Sequence, residues 1–247
     1  MLVFLFIHFY FLRIIFIHIL QNTFHLLYND DPPRLKSNSY KGHAKGVVLF
    51  DSKSGFWLIH SVPNFPPKKY YEYPSSGIRY GQSFLCVSFQ TTELGKIGEQ
   101  LLYIQPEIYS SHLPEKIAFR FPTLREVIRK NSRLKNESVF SSVKKLFSSS
   151  GRQFKSFAKH RRYGKDLYRD FLAPFLKISL YTETWMNGLG DFQSECKSKY
   201  KVENIEHLQF LNRIFKNTKD HSKWAISQHR SEPYICIGDI NRQVGRI

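Results

Sequence analysis

Two triplets of one form, His43-Ala44-Lys45 and His221-Ser222-Lys223, constrain this chain more than any other feature. Each opens a strand-like apolar run. Each is followed by an asparagine at nearly the same distance: Asn64 lies 19 residues beyond Lys45, and Asn241 lies 18 beyond Lys223. Each asparagine closes a second strand-like run, over 57–60 and 234–237. On a strand, residues i and i+2 point to one face, so each triplet sets an imidazole beside an ammonium, and an adjacent strand can deliver an amide next to them. A single His-x-Lys reads as a solvated surface pair; the repetition with its flanking pattern raises it to a candidate site. Two such sets, related by a pseudo-twofold, would face each other across one phosphodiester.

The residue types suit that task. One imidazole can attack phosphorus and carry it as a phosphohistidine, while the opposite imidazolium protonates the departing oxygen. The order of His43 and His221 stays open. Lys45 and Lys223, with Asn64 and Asn241, would hold the non-bridging oxygens as charge develops. The lysines supply the positive charge, so no metal or other cofactor is expected, and no clustered carboxylate motif of a two-metal nuclease is visible. A general acid must start protonated, which points to an acidic working pH, and nearby lysines would lower the imidazole pKa further. Asp239 either joins this set or caps a turn. Asp51 reads as a hairpin residue and His60 as a structural one.

Composition sets the frame. With 247 residues, 42% hydrophobic and 16% aromatic, the chain can bury one sizeable core or two small domains sharing an interface, and global disorder is excluded. The net charge of +17 favours a polyanionic partner; solubility or contact with an anionic membrane would use the same charge. Cys86, Cys196 and Cys236 form no C-x-x-C, so zinc and thioredoxin-like readings find no support. Asn136-Glu137-Ser138 is a glycosylation sequon.

Residues 1–25 are read as an apolar leader or anchor, or as a segment foreign to the fold, with membrane contact through 1–20. A first half is expected over 26–130, with strands at 46–50, 56–60 and 84–89 and a helix at 93–104. A basic, Ser-rich loop or linker is expected over 131–163. A second half over 164–247 would hold an amphipathic helix at 165–176 and strands at 178–185, 202–210, 223–227 and 234–240. The alternation suggests an α/β or α+β sandwich.

Longer segments carry a resemblance. Tyr28-Asn-Asp-Asp-Pro-Pro33, Gly42-His-Ala-Lys-Gly-Val-Val-Leu-Phe-Asp51, Phe56-Trp-Leu-Ile-His-Ser-Val-Pro-Asn-Phe-Pro66 and Tyr80-Gly-Gln-Ser-Phe-Leu-Cys-Val-Ser-Phe89 are similar to the deoxyribonuclease II family. So are Phe157-Ala-Lys159, Gly164-Lys-Asp-Leu-Tyr168, Glu183-Thr-Trp185, Asp220-His-Ser-Lys-Trp224 and Gly238-Asp-Ile-Asn-Arg242, in the right order. The resemblance implies a phospholipase D-like fold, a pseudo-dimer of two sheet-containing halves sharing one active site. It implies endonucleolytic cleavage of double-stranded DNA to 3′-phosphate ends, at acid pH and without metal, in the lysosome or outside the cell. The family's two motifs map onto His43/Lys45 and His221/Lys223, with Asn64 and Asn241 at polar phosphate-binding positions. Where the family has Cys after its His-Ser-Lys-Trp run this chain has Ala225, so Cys236 is expected to lack a partner, and Cys86 too. The apolar start stands where the family has further strands, so unpaired sheet edges are expected in the first half. An inactive DNA-binding or secreted effector of the same fold, and a phospholipid hydrolase, are the competing functions.

Overall fold

A computed structural model describes residues 22–129, 134 and 139–243. The apolar run 1–20 and the sequon at Asn136 lie outside them. Among the described residues no helix is long and apolar enough to cross a membrane.

The fold is mixed α+β, and among the described residues no sheet is closed into a barrel. The first sheet is built from β1 (Phe24–Asn29), β2 (Lys45–Phe50) and β3 (Ser54–His60). After the short helix α1 (Ser75–Arg79) it is completed by β4 (Phe84–Gln90) and, beyond α2 (Leu94–Ile104), by β5 (Ile108–His112). The order is β4-β3-β2-β1-β5, antiparallel throughout. Helices α3 (Glu115–Arg120) and α4 (Thr123–Ile128) follow, then a hairpin of β6 (Ser141–Phe147) and β7 (Gln153–Lys159).

A π-helical turn, Tyr168–Leu172, runs into α5 (Ala173–Leu176). The second sheet then takes β8 (Leu180–Glu183) and β9 (Val202–Asn204). A separate ribbon of β10 (His207–Phe210) and β11 (Arg213–Lys216) precedes β12 (Lys223–Ser227) and β13 (Ile235–Gly238). The order of the second sheet is β13-β12-β8-β9, with only β8 and β9 parallel.

Burial explains the sequence pattern. β1 and β2 are covered on both faces, which makes them continuous apolar runs rather than alternating ones. On one face Phe24, Leu26, Tyr28, Val48, Phe50 and Trp57 pack with Leu94, Ile97 and Leu101 of α2; these three recur at helical spacing. On the other face Leu27, Val47 and Leu58 meet Val62, Phe65 and Tyr109. The second core gathers Tyr168, Leu172, Leu180, Val202, Ala225 and Ile240.

Four sequence expectations change. The strand β1 begins at Phe24, inside the span assigned to a leader, because its apolar residues merge with the apolar run before it. The middle of the expected linker is the β6–β7 hairpin. Its α2-facing side includes Lys144, paired with Glu99, and Ser156, which accepts from the Gln100 amide at 3.0 Å, so few apolar residues mark it. Phe154 packs on the first core and Phe157 on the second, so the hairpin joins the halves. The helix expected over 165–176 is shortened to the π turn and α5. Pro174 has no N–H for the Asp170 carbonyl, which accepts instead from the Tyr163 hydroxyl at 3.0 Å. The run 202–210 divides at Ile205–Glu206, where the Ile205 amide turns to the Thr182 carbonyl at 2.9 Å.

The three cysteines are free thiols, and Ala225 lies directly opposite Cys236 in the β12–β13 register. Phe24 is fully buried between α2 and the sheet. Phe24→Ala should therefore lower unfolding free energy by about 3–5 kcal/mol, read as a lower urea midpoint. An unchanged midpoint would place Phe24 in a leader rather than the core.

Candidate active site

The two His-x-Lys triplets enter equivalent positions of the two sheets. Lys45 is the first residue of β2 and Lys223 the first of β12, with His43 and His221 two residues before. In register, Lys45 faces Asn29 of β1 and, one step before the Gly46–Ile59 pair, His60 of β3. Lys223 faces Gly238 of β13, and the residue beyond Glu183 of β8. The strand triplet β1-β2-β3 thus repeats as β8-β12-β13. Ser61 corresponds to Asp239, and Asp30 to Trp185.

Those equivalent residues bind across the halves. The backbone N–H of Lys45 donates to the Asp239 carboxylate at 2.8 Å, and the His221 Nδ1–H donates to the Ser61 carbonyl at 2.8 Å. A strap from the first half, Gly81, closes the join: its N–H donates to the Lys219 carbonyl at 2.9 Å, and its carbonyl accepts from the His221 N–H at 2.8 Å. A Cβ at Gly81 would come within 2.5 Å of the Asp220 carboxylate, so a side chain there would force Asp220 to shift. Ser61 is fixed in turn by its hydroxyl, which donates to Gln82 at 2.6 Å and accepts from the Ser83 N–H at 2.9 Å.

Within each half the histidine and lysine are held differently. Asp30 takes both members of the first pair: His43 Nδ1–H at 2.6 Å and the Lys45 ammonium. Asn29 fixes the Asp30 turn, donating to the carbonyls of Val62 at 3.1 Å and Phe65 at 2.9 Å and accepting from the Asp31 N–H at 2.9 Å. In the second half the indole of Trp185 stands in place of Asp30. Its ring meets His221 edge-on at 4.4 Å and lies 5.5 Å from the Lys223 ammonium, a cation–π contact. Lys223 also donates to the His221 carbonyl at 2.6 Å. Trp185 adopts φ +52°, and its N–H is held by the Glu183 carboxylate at 2.8 Å.

The two asparagines are not equivalent. By register Asn241 matches Pro63, and Asn64 matches Arg242, so the one-residue difference in spacing is a real offset. Asn64 has φ +59° and is tied to Asp31 by its backbone N–H (2.7 Å) and its amide (2.9 Å); it shapes the loop. Asn241 is buried, with its Oδ1 free of partners. Arg242 beside it forms a fully buried pair with Asp166 at 2.8 Å. Asp51 accepts from the N–H groups of Lys53 and Ser54 in the hairpin turn. His60 is buried between Phe65 and Phe84 and accepts from the Val62 N–H at 3.2 Å.

Electrostatics couples the whole set. Burial lowers His43 to about 4, assisted by Lys45 and opposed by Asp30; Lys223 of the other half lowers it further. Burial, Lys223, Lys45 and His43 together lower His221 to about 2. Burial would raise the Asp30 carboxyl, but the charges of Lys45 and His43, with their hydrogen bonds, pull it well below the ordinary range. Asp239 is raised by burial to about 6, against the pull of the Lys45 N–H and both lysines. Burial and Lys45 push Lys223 well below its usual value. The Nε2 of His43 and the Nε1 of Trp185 are buried without partners, as expected where a ligand completes the hydrogen bonding. Among the described residues no three His, Cys, Asp or Glu side chains cluster as a metal site.

Sequence reasoning missed Asp30, Trp185, Glu183 and the Ser61 carbonyl. The usable signal was positional: Tyr28-Asn-Asp-Asp31 and Glu183-Thr-Trp185 each close a strand that runs beside a His-x-Lys strand.

Two related sheets that meet near paired histidines and lysines define the class: a two-half α+β protein with a buried, cationic candidate site between its halves. The chain belongs to the deoxyribonuclease II family, whose sequence profile, described as Deoxyribonuclease II, matches residues 16–247. It is 41% identical over 228 residues to cell-death-related nuclease 7 of Caenorhabditis elegans, covering 92% of this chain and 62% of that protein. It is 40% identical over 231 residues to plancitoxin-1 of Acanthaster planci, covering 92% and 64%. Against deoxyribonuclease-2-alpha of Sus scrofa the identity is 39% over 226 residues, covering 88% and 61%. The chain thus spans less than two thirds of the length of these relatives.

Glu183 gives a direct check of this buried field. Its carboxyl is raised to about 8, first by burial and then by Asp220, against the Trp185 N–H and Lys223. A carboxyl raised in the folded state loses stabilising protonation as pH rises from its unfolded value, about 4.5, to about 8. Glu183→Gln keeps the acceptor for Trp185 and removes that loss. The variant should gain on the parent in thermal midpoint as pH rises through this window; parallel profiles would show that Glu183 is not held protonated.

Proposed function

We propose that this chain is a metal-independent acid endodeoxyribonuclease that cuts the P–O5′ bond of DNA, with His43, Lys45, His221 and Lys223 as its reacting and charge-stabilising groups. The observation that carries the reading is the crossing of contacts between the halves, which sets both His–Lys pairs in one buried field. The family supports DNA as the substrate, and the net charge of +17 suits a polyphosphate.

The asymmetry of the halves favours an order for the histidines. The Asp30 carboxylate holds the Nδ1–H of His43 and leaves its buried Nε2 unpartnered. That arrangement suits a nucleophile, because the carboxylate stabilises the cationic imidazole formed when Nε2 bonds to phosphorus. His221 has only a carbonyl on Nδ1, so it holds a proton more weakly and suits the general acid. In the first step the His43 Nε2–P bond forms, the P–O5′ bond breaks, and the His221 proton goes to O5′. In the second, His221 takes a proton from water, whose oxygen displaces His43 and leaves a 3′-phosphate. Lys45 and Lys223 stabilise the non-bridging oxygens in both steps. Asn241 and Asp239 border this space; Asn64 acts through the Asp31 loop.

The pH dependence follows in sign. In the free site both histidines are depressed, to about 4 and about 2, so they are neutral at pH 5. A bound phosphodiester anion raises both, and the proton it requires is supplied more readily as pH falls. Turnover should therefore rise as pH drops from 7 toward 5, an optimum suited to a lysosomal or secreted enzyme.

His43→Ala and His221→Ala should each lower plasmid cleavage in EDTA at pH 5 by about three orders of magnitude or more, with circular dichroism unchanged. With thymidine 3′-(p-nitrophenyl phosphate), whose leaving group needs no acid, His221→Ala should still release nitrophenol in a burst and trap the thymidine 3′-phosphoryl group on His43. Near-parental plasmid cleavage by the double variant would overturn the scheme. DNA binding without any cleavage by the parent chain would select the inactive-effector reading.

A further inference from the structure

The β10–β11 ribbon belongs to neither sheet; among the described residues its strands pair only with each other. Its free end is nonetheless apolar. Phe210 and Ile214 are each 70% exposed and Leu211, at the turn, is 81% exposed. Phe210 pairs with Arg213 across the ribbon, so these two project from the same face. Arg213 and Lys216 are exposed as well. Exposed apolar residues gathered at the tip of a ribbon, with cations among them, mark a contact surface.

The turn supplies a second, independent observation. Leu211 has φ +54°, a conformation that costs a side-chain-bearing residue about 1–2 kcal/mol and that glycine or asparagine takes freely. The strain is kept at a position where the side chain is largely exposed. What it secures is an exposed leucine at the tip of the ribbon.

The ribbon is rooted beside the active site. The Asn217 backbone N–H donates to the Glu206 carbonyl at 2.9 Å, and its amide to the Ile205 carbonyl at 2.9 Å, which closes the base. From Asn217 the chain passes through Lys219, held by Gly81, directly into Asp220 and His221. Four residues per strand at about 3.3 Å each give a reach of about 13 Å, or about four steps of duplex at 3.4 Å.

We propose that the β10–β11 ribbon grips duplex DNA flanking the scissile phosphate, with Phe210, Leu211 and Arg213 set into its groove. The inference rests on the nuclease reading. An apolar wedge beside an arginine is the chemistry that enters a minor groove and opens a base step. The net charge of +17 opposes a second copy of the chain as the occupant and attracts a polyanion.

The test compares the parent with Leu211→Gly alone and with the triple variant Phe210→Ser, Leu211→Gly, Arg213→Ser. Leu211→Gly relieves the turn, so its thermal midpoint should hold or rise. Binding of a fluorescein-labelled duplex two helical turns long, read by anisotropy in EDTA, should weaken several-fold in the single variant. It should weaken about ten-fold or more in the triple variant. Turnover of thymidine 3′-(p-nitrophenyl phosphate), too short to reach the ribbon, should be unchanged in both. Equal duplex binding by parent and triple variant would overturn the proposal, whether or not the chain cleaves. So would unchanged duplex binding accompanied by loss of binding to phosphatidylserine vesicles, or by loss of a concentration-dependent dimer. Failure of the nuclease reading would show separately, as no turnover of the small diester by the parent.

Discussion

Two lysine ammoniums and two imidazoles are buried in one space, and that arrangement has to be compensated before anything else in the molecule can hold. Lys45 and Lys223 are almost inaccessible to solvent, and each depresses the histidines of both halves. Burying charge without partners costs several kcal/mol per ion. Asp30 answers the first pair directly, and Asp239 answers from the opposite half while holding the Lys45 backbone. The join between the sheets is therefore made by the same groups that make the site. The site cannot be loosened without parting the halves, and the halves cannot be repacked without disturbing the site.

The compensation is unequal, and the inequality has chemical use. Asp30 and Trp185 occupy corresponding positions, yet one is a carboxylate and the other an indole. A symmetric site would have two equivalent histidines and no preferred order of attack. Here His43 rests on a carboxylate while His221 rests on a carbonyl and an aromatic edge. The Lys223 ammonium, with a ring beside it, is left more dependent on an incoming anion than Lys45 is. In the proposed reaction that anion is the scissile phosphate.

Local chemistry was readable in the sequence; the partners that arrive from elsewhere in the fold were less so. The motif strands β2 and β12, and β3 beside the first, follow from apolar runs bounded by turns, and α2 follows from Leu94, Ile97 and Leu101. β1 was obscured because a strand buried on both faces has no alternation to separate it from the apolar residues before it. The β6–β7 hairpin was obscured for the opposite reason: Lys144 and Ser156 occupy its inner face, and its role depends on two phenylalanines reaching different cores. In the site, His43/Lys45 and His221/Lys223 were visible because both members of each pair are local. Asp30 and Trp185 come from neighbouring strands, and no spacing within a motif reports them. The asparagine repeat misled by one residue, enough to exchange Asn64 for Pro63 as the counterpart of Asn241.

In the proposed reaction both His–Lys pairs act on a single phosphate. Nitrogen-15 NMR of histidine-labelled protein, titrated with inorganic phosphate at pH 5, tests it most directly. One equivalent of phosphate should move the imidazole signals of His43 and His221 along the same saturation curve, toward the protonated form. Shifts at only one of them, or two curves with different midpoints, would contradict it.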